Sequence, residues 1–151
     1  MAARLERLAY YSRANIRLES LLVIADILAV SQRNNSRDQI TGSLVYSDAT
    51  FFQVVEGGRE DLDRLVRRLE RDPRHGEIIV VSRTEVTDRI FPDWSMTVPR
   101  LSPDLAAKMM ATVAAAHASP AAAIELLRQL SVEDGVHPED WEDPAVRPVT
   151  A

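Results

Sequence analysis

Residues 40–58 read ITGSLVYSDATFFQVVEGG. Two apolar, β-branched and aromatic runs, 43–46 and 51–55, are separated by Ser47-Asp48-Ala49-Thr50, and Gly57-Gly58 follows. That pattern predicts a β-hairpin. Gln53 sits in the middle of the second strand. A side-chain amide carries two donors and an acceptor, and burying it unpaired costs a few kcal/mol. The hairpin therefore raises the question of what Gln53 bonds to.

Working outward, EDLDRLVRRLER at 60–71 places Leu62, Leu65, Val66 and Leu69 on one helical stripe. Acids open this helix, Arg closes it, and Asp72-Pro73 stops it. EIIVVSRTEV at 77–86 predicts a strand, and WSMTV at 94–98 a short last one. Upstream, LERLAYYS at 5–12 alternates as a strand does. From Arg17 the residues Leu18, Leu21, Leu22, Ala25, Leu28 and Ala29 recur at helical spacing, and the helix is expected to end at Asn34-Asn35.

The order is β-α-β-β-α-β-β, an α+β chain whose first six elements match the split βαβ of the ferredoxin-like fold. A five-stranded sheet follows from the strand count. In that topology the first and third strands are central neighbours and both helices cover one face. Tyr10 and Gln53 should then lie side by side. Beyond Pro99, Ser102-Pro103 and Ser119-Pro120 each open a further helix by capping and first-turn rules. The acidic, Pro-containing stretch from Glu133 reads as a flexible tail.

The chain has 151 residues, 46% hydrophobic and 27% charged, which suits one globular domain. A net charge of −5 argues against non-specific binding to nucleic acid or an anionic membrane. No apolar run spans a bilayer, and MAARLERLAYY lacks a signal-peptide core, so a cytoplasmic protein is expected. The absence of Cys excludes disulfides, thiolate metal sites and Cys nucleophiles. His75, His117 and His137 lack metal-ligand spacing. No phosphate-binding Gly loop or nucleophile elbow is present.

Each candidate residue has an ordinary reading. Tyr10 is a core tyrosine, Gln53 bonds a neighbouring loop, and Asn34-Asn35 is a helix end. Asp72-Pro73-Arg74-His75 is a solvated turn, and Trp94 and Met96 are packing partners on one sheet face. The collection says more. A narrower stripe, Ile24, Ile27, Ser31 and Asn34-Asn35, would face Leu69 across a cleft between the two helices. Apolar walls with convergent amides describe a site for a flat heterocycle. Arg68, Arg74 and His75 would stand ready for phosphates.

These residues resemble a known family, the BLUF domains, which sense blue light with a flavin. The resemblance rests on LAYYSRA around Tyr10, SQRNN and QITGSLVYS within 31–47, FFQVVEG at 51–57, RRLERDPRH at 67–75 and RIFPDWSM at 89–96. They follow in the family's order and spacing over residues 5–98. The resemblance implies a non-covalent flavin, usually FAD, with FMN or riboflavin as alternatives. It makes Tyr10 the photoactive tyrosine and Gln53 the switching glutamine. Ile27, Ser31, Asn34, Asn35, Arg68, Leu69, Asp72, Arg74 and His75 become flavin contacts, and Trp94 and Met96 the pair that transmits the signal. It implies light-driven electron and proton transfer from Tyr10, with Gln53 left rotated or tautomerised and the absorption shifted slightly red. A chain without Cys suits a photocycle that forms no bond to protein.

On that resemblance residues 1–98 are the flavin-binding photosensory domain and 99–132 a two-helix extension on the opposite sheet face, with 133–151 as tail. The expectation is a stand-alone photosensory protein rather than an enzyme, a homo-oligomer signalling to a partner protein of unknown identity. A ferredoxin-like binding protein or enzyme without photochemistry is the alternative.

Overall fold

The computed structural model describes residues 4–14, 33–47, 49–73, 75–91, 96–99 and 101–136. Strands β1 (Leu5–Ala14), β2 (Thr41–Ser47), β3 (Thr50–Gly58) and β4 (His75–Val86) form one sheet in the order β2-β3-β1-β4. All neighbours run antiparallel. Helix α1 (Arg59–Arg71) connects β3 to β4, with Glu60 and Asp61 in its first turn and Arg68 and Arg71 in its last. The ferredoxin-like order read from the hairpin holds, and β1 and β3 are the central pair.

The register sets Tyr10 directly opposite Gln53. Every residue of β3 between its ends is buried, because the strand is covered on both faces. On β4 an extra residue interrupts the ladder: Ala9 pairs with Ser82 but Tyr10 with Val80. This bulge falls beside the Tyr10–Gln53 pair, where extra local twist re-aims side chains.

Of the expected fifth strand, 94–98, residues 96–98 are described, and they join the sheet through a single bridge. Thr97 bridges Ser43 in parallel, with Leu44 N–H donating to the Thr97 carbonyl (2.9 Å) and Thr97 N–H to the Gly42 carbonyl (3.0 Å). The chain then turns away as β5 (Val98–Pro99), which pairs with β6 (Gly135–Val136) in a separate two-stranded ribbon. Pro99 has no N–H to continue a ladder along β2. Among the described residues the regular sheet has four strands, where five were expected.

The first helix closes later than expected. Residues 33–37 are helical, the Asn34 and Asn35 carbonyls accept from Asp38 and Ile40, and Gln39 takes the left-handed conformation at φ 57°. Asn34 and Asn35 lie inside the last turn rather than at its end. The rest of that expected helix, through residue 32, lies outside the described residues.

Two cores flank the sheet. Leu8, Tyr10, Ile40 and Val55 pack with Leu62 and Leu65 of α1 on one face. Ala9, Val45, Phe52 and Val54 pack on the other against α2 (Pro103–Ala114) and α3 (Pro120–Asp134) through Met109, Val113, Ala123, Leu127 and Leu130. Ser102 caps α2 by accepting from Leu105 N–H, as its Ser-Pro opening predicts. Residues 133–136, expected to open a tail, are structured: α3 runs to Asp134, and β6 is held by pairing with β5, while 137–151 lie outside the described residues. No described helix is long and apolar enough to cross a membrane.

Candidate functional site

Tyr10 stands at the middle of β1 and is fully buried. Its hydroxyl donates to Gln53 Oε1. The other end of the buried amide, Nε2, donates to Met96 Sδ at 3.4 Å. The amide is thus oriented by a strong donor on its oxygen and a weak thioether acceptor on its nitrogen. The hydroxyl is the firm contact and the sulfur the yielding one, so the nitrogen end is the easier to move. Burial pushes the Tyr10 phenol well above its ordinary value, and the negative charge of Asp72 pushes the same way. Tyr10 therefore keeps its proton for Gln53 throughout the physiological range.

Helix α1 walls the same face. Leu62 and Leu65 are buried, and Val66 and Leu69 lie partly buried against the Tyr10 core. One turn toward its C-terminus, Arg68 Nη1 contacts the buried Asp38 carboxylate at 3.3 Å. Arg37 binds the same carboxylate through two nitrogens, at 3.0 and 3.2 Å. The Arg37 hydrogen bond leads in holding Asp38 below its ordinary value, against the opposing effect of burial. The Asp38 clasp ties the helical turn of Asn34 and Asn35 to α1. Asn35 itself is fully buried.

This wall fits a flavin. Arg68 Nη2 is buried with no hydrogen-bond partner among the described residues. A buried guanidinium nitrogen in that condition calls for an acceptor oxygen, which a flavin's carbonyls, ribityl chain or phosphates supply. On the same side of the sheet are an apolar helix face and the buried Tyr10 phenol with its Gln53 partner, a lining suited to a heteroaromatic ring.

Of the residues singled out in the sequence, Tyr10, Gln53 and Met96 are joined by hydrogen bonds. Asn34, Asn35, Arg68, Leu69 and Asp72 fall on the α1 side, with Asp72 N–H closing the helix on the Leu69 carbonyl at 3.1 Å. Ile27, Ser31, Arg74 and Trp94 lie outside the described residues, as does the side chain of His75, whose backbone opens β4.

Three features escaped the sequence reading. Asp38 is the first, and nothing in SRDQI marks it. Glu56 is the second. It is fully buried on β3 and accepts from Arg7 Nε (2.9 Å), Ile90 N–H (2.9 Å) and Phe91 N–H (2.8 Å). A carboxylate three residues after Gln53 in an apolar strand was the available signal. Arg89 adds a clasp from the same loop, donating to the Glu56 and Gln39 carbonyls and to Thr41 Oγ1, each at 2.8 Å. The third is a buried hydroxyl pair, Ser43 and Ser131, 2.7 Å apart.

Comparison with known proteins agrees with this geometry. The family model described as BLUF, sensors of blue-light using FAD, matches residues 5–97. Photoactivated adenylate cyclase subunit beta of Euglena longa is 38% identical over 96 residues, covering 63% of this chain and 11% of that protein. This chain thus matches only about a tenth of the length of that relative. The dark-state structure of BlrB, a BLUF protein, superposes with a TM-score of 0.69 at 30% identity, covering 88% of this chain and 98% of that one. The photo-activated state of BlsA gives 0.71 at 26% identity, covering 87% and 98%. With its sheet, its tyrosine–glutamine pair and a family match over most of its length, the chain belongs to the BLUF family of flavin-based blue-light sensors.

Proposed function

We propose that Tyr10 and Gln53 are the light-responsive pair of this sensor and that its flavin is FAD. Asn34, Asn35, Arg68, Leu69 and Asp72 hold it, together with Ile27, Ser31, Arg74 and His75. When bound, the flavin supplies a blue-light chromophore and an electron acceptor. Tyr10 is the donor: once it gives up an electron its phenol becomes strongly acidic, and Gln53 Oε1 is already its hydrogen-bond acceptor. The electron and the proton then return to Tyr10, leaving Gln53 rotated or tautomerised, and its nitrogen end releases the weakly held Met96 sulfur. Trp94 and Met96 carry that change into the following segment.

We infer that residues 1–98 act as the photosensory unit and 99–132 as the surface that answers to it. The chain signals as a homo-oligomer to a separate protein and is not itself an enzyme. The cyclase activity named for the Euglena protein is that protein's. The observation that carries the reading is the buried Tyr10–Gln53–Met96 chain of hydrogen bonds. Purified protein should be yellow, and blue light should give a small red shift that reverses in the dark. Tyr10→Phe should bind flavin yet lose that cycle. Colourless protein after flavin addition, or a normal cycle in Tyr10→Phe, would refute the proposal.

A further inference from the structure

The segment that follows Met96 is tied to the last helix by a buried hydroxyl pair with too few protons. Ser43 Oγ lies 3.0 Å from the Thr97 carbonyl and 2.7 Å from Ser131 Oγ. Ser131 Oγ lies 2.6 Å from the Leu127 carbonyl, one turn back on α3. Ser43, Thr97 and Ser131 are all buried. Each of the three short contacts needs a proton, and two hydroxyls supply two. Of the three ways to place two protons, the one that gives both to carbonyls sets two bare hydroxyl oxygens 2.7 Å apart, which leaves two arrangements. In one, Ser43 donates to the Thr97 carbonyl and Ser131 donates to Ser43. In the other, Ser131 donates to the Leu127 carbonyl and Ser43 donates to Ser131.

We propose that this Ser43–Ser131 pair is a two-state relay that couples the position of the Met96–Thr97 segment to the last turn of α3. It rests on the Tyr10–Gln53 reading above and adds the route by which the switch leaves the sheet. The first arrangement belongs to the dark state, in which Gln53 holds Met96 and the Thr97 carbonyl stays seated on β2. When the segment shifts, the Thr97 carbonyl draws off, Ser43 turns its proton to Ser131, and Ser131 turns to Leu127. A serine bonding back to the carbonyl four residues earlier bends its helix slightly. That turn leads into Gly135–Val136, which is itself paired with Val98–Pro99. Both ends of the moving segment therefore report to one helix terminus. Nothing is transferred between residues; each hydroxyl only rotates.

The two hydroxyls can be removed separately, and the count then predicts unequal effects. Ser131→Ala takes away the acceptor that Ser43 needs in the lit arrangement, so it disfavours the lit state. Ser43→Ala takes away one bond in either arrangement, since Ser131 then donates to the Leu127 carbonyl in both and Leu44 N–H still holds the Thr97 carbonyl, so it leaves the balance between the states near that of wild type. In the full chain with flavin, after a blue flash, dark recovery should be about threefold or more faster in Ser131→Ala, the size of one hydrogen bond, and close to the wild-type rate in Ser43→Ala. In both variants the light-induced change in hydrogen exchange over 120–134 should fall away while the red shift itself persists. Simple loosening of the fold would move both recovery rates the same way. Recovery rates that shift together or both stay unchanged, or a wild-type exchange response surviving in Ser131→Ala, would overturn the relay and leave the photoactive pair standing. A wild type with no red shift would overturn both.

Discussion

Replacing Glu56 tests how the loop before Met96 is held. The carboxylate is fully buried and accepts from one side chain and two backbone amides. Oε1 accepts from Ile90 N–H at 2.9 Å and Phe91 N–H at 2.8 Å, while Oε2 accepts from Arg7 Nε at 2.9 Å and shares Ile90 N–H at 3.1 Å. Glu56→Gln must turn its amide NH2 toward one of these sets. The cheaper choice faces Arg7, loses one charge-assisted bond and sets donor against donor, costing roughly 2–3 kcal/mol. Glu56→Leu also orphans both backbone amides at roughly 1–3 kcal/mol each, so its cost rises to roughly 4–5 kcal/mol. Exchange of a buried ion pair for apolar residues is often harmless when both partners are replaced. Here two of the partners are main chain and stay behind. The assay is urea unfolding in the dark, read as a shift in midpoint at constant slope. A chain of this length loses about 2–4 °C of Tm per kcal/mol, so the glutamine variant should melt about 5–10 °C lower. Glu56→Leu within about 1 kcal/mol of wild type would refute the clamp.

Three further outcomes follow from the same coordinates. The raised Tyr10 value means that the unfolded chain releases this proton near pH 10 while the folded chain keeps it. Stability from Tyr10 is therefore complete below pH 10 and lost above it, at about 1.4 kcal/mol per pH unit, and Tyr10→Phe should lack that slope in urea midpoints compared at pH 9, 10 and 11. Arg68→Ala removes the nitrogen buried without a partner, so flavin retention on dialysis should weaken about tenfold with little change in the fold's far-ultraviolet dichroism. Gly42→Ala should fold poorly or not at all, since a methyl there overlaps the Val54 carbonyl oxygen and crowds Val55 on the neighbouring strand; soluble yield and thermal melting report it.

The hairpin at 40–58 made most of the architecture legible, because alternating apolar runs and a helical stripe carry their periods in short windows. The ferredoxin-like order places Tyr10 beside Gln53, and the register bears that out. What stayed hidden depends on long-range pairing. WSMTV has the composition of a strand, yet Pro99 and the pairing of Val98 with Val136 draw it off the sheet edge after one bridge. Asn34-Asn35 reads as a helix end, but the left-handed turn falls at Gln39, where Arg89 holds the carbonyl from 50 residues away. The role of Glu56 is unmarked in the sequence, because its backbone partners sit in the loop at 89–91 that folds back onto it. Ser43 and Ser131 stand 88 residues apart and show their pairing only once α3 is packed on the sheet.

The central claim is that one amide, Gln53, converts light into a rearranged hydrogen-bond network between Tyr10 and Met96. The most direct measurement is the light-minus-dark absorption difference of Gln53→Leu beside wild type, both loaded with flavin. Leucine keeps the bulk of the side chain and removes both hydrogen-bonding ends. The account predicts that the variant is yellow, with the reversible red shift present in wild type and absent in Gln53→Leu. A red shift of wild-type size in Gln53→Leu would contradict it.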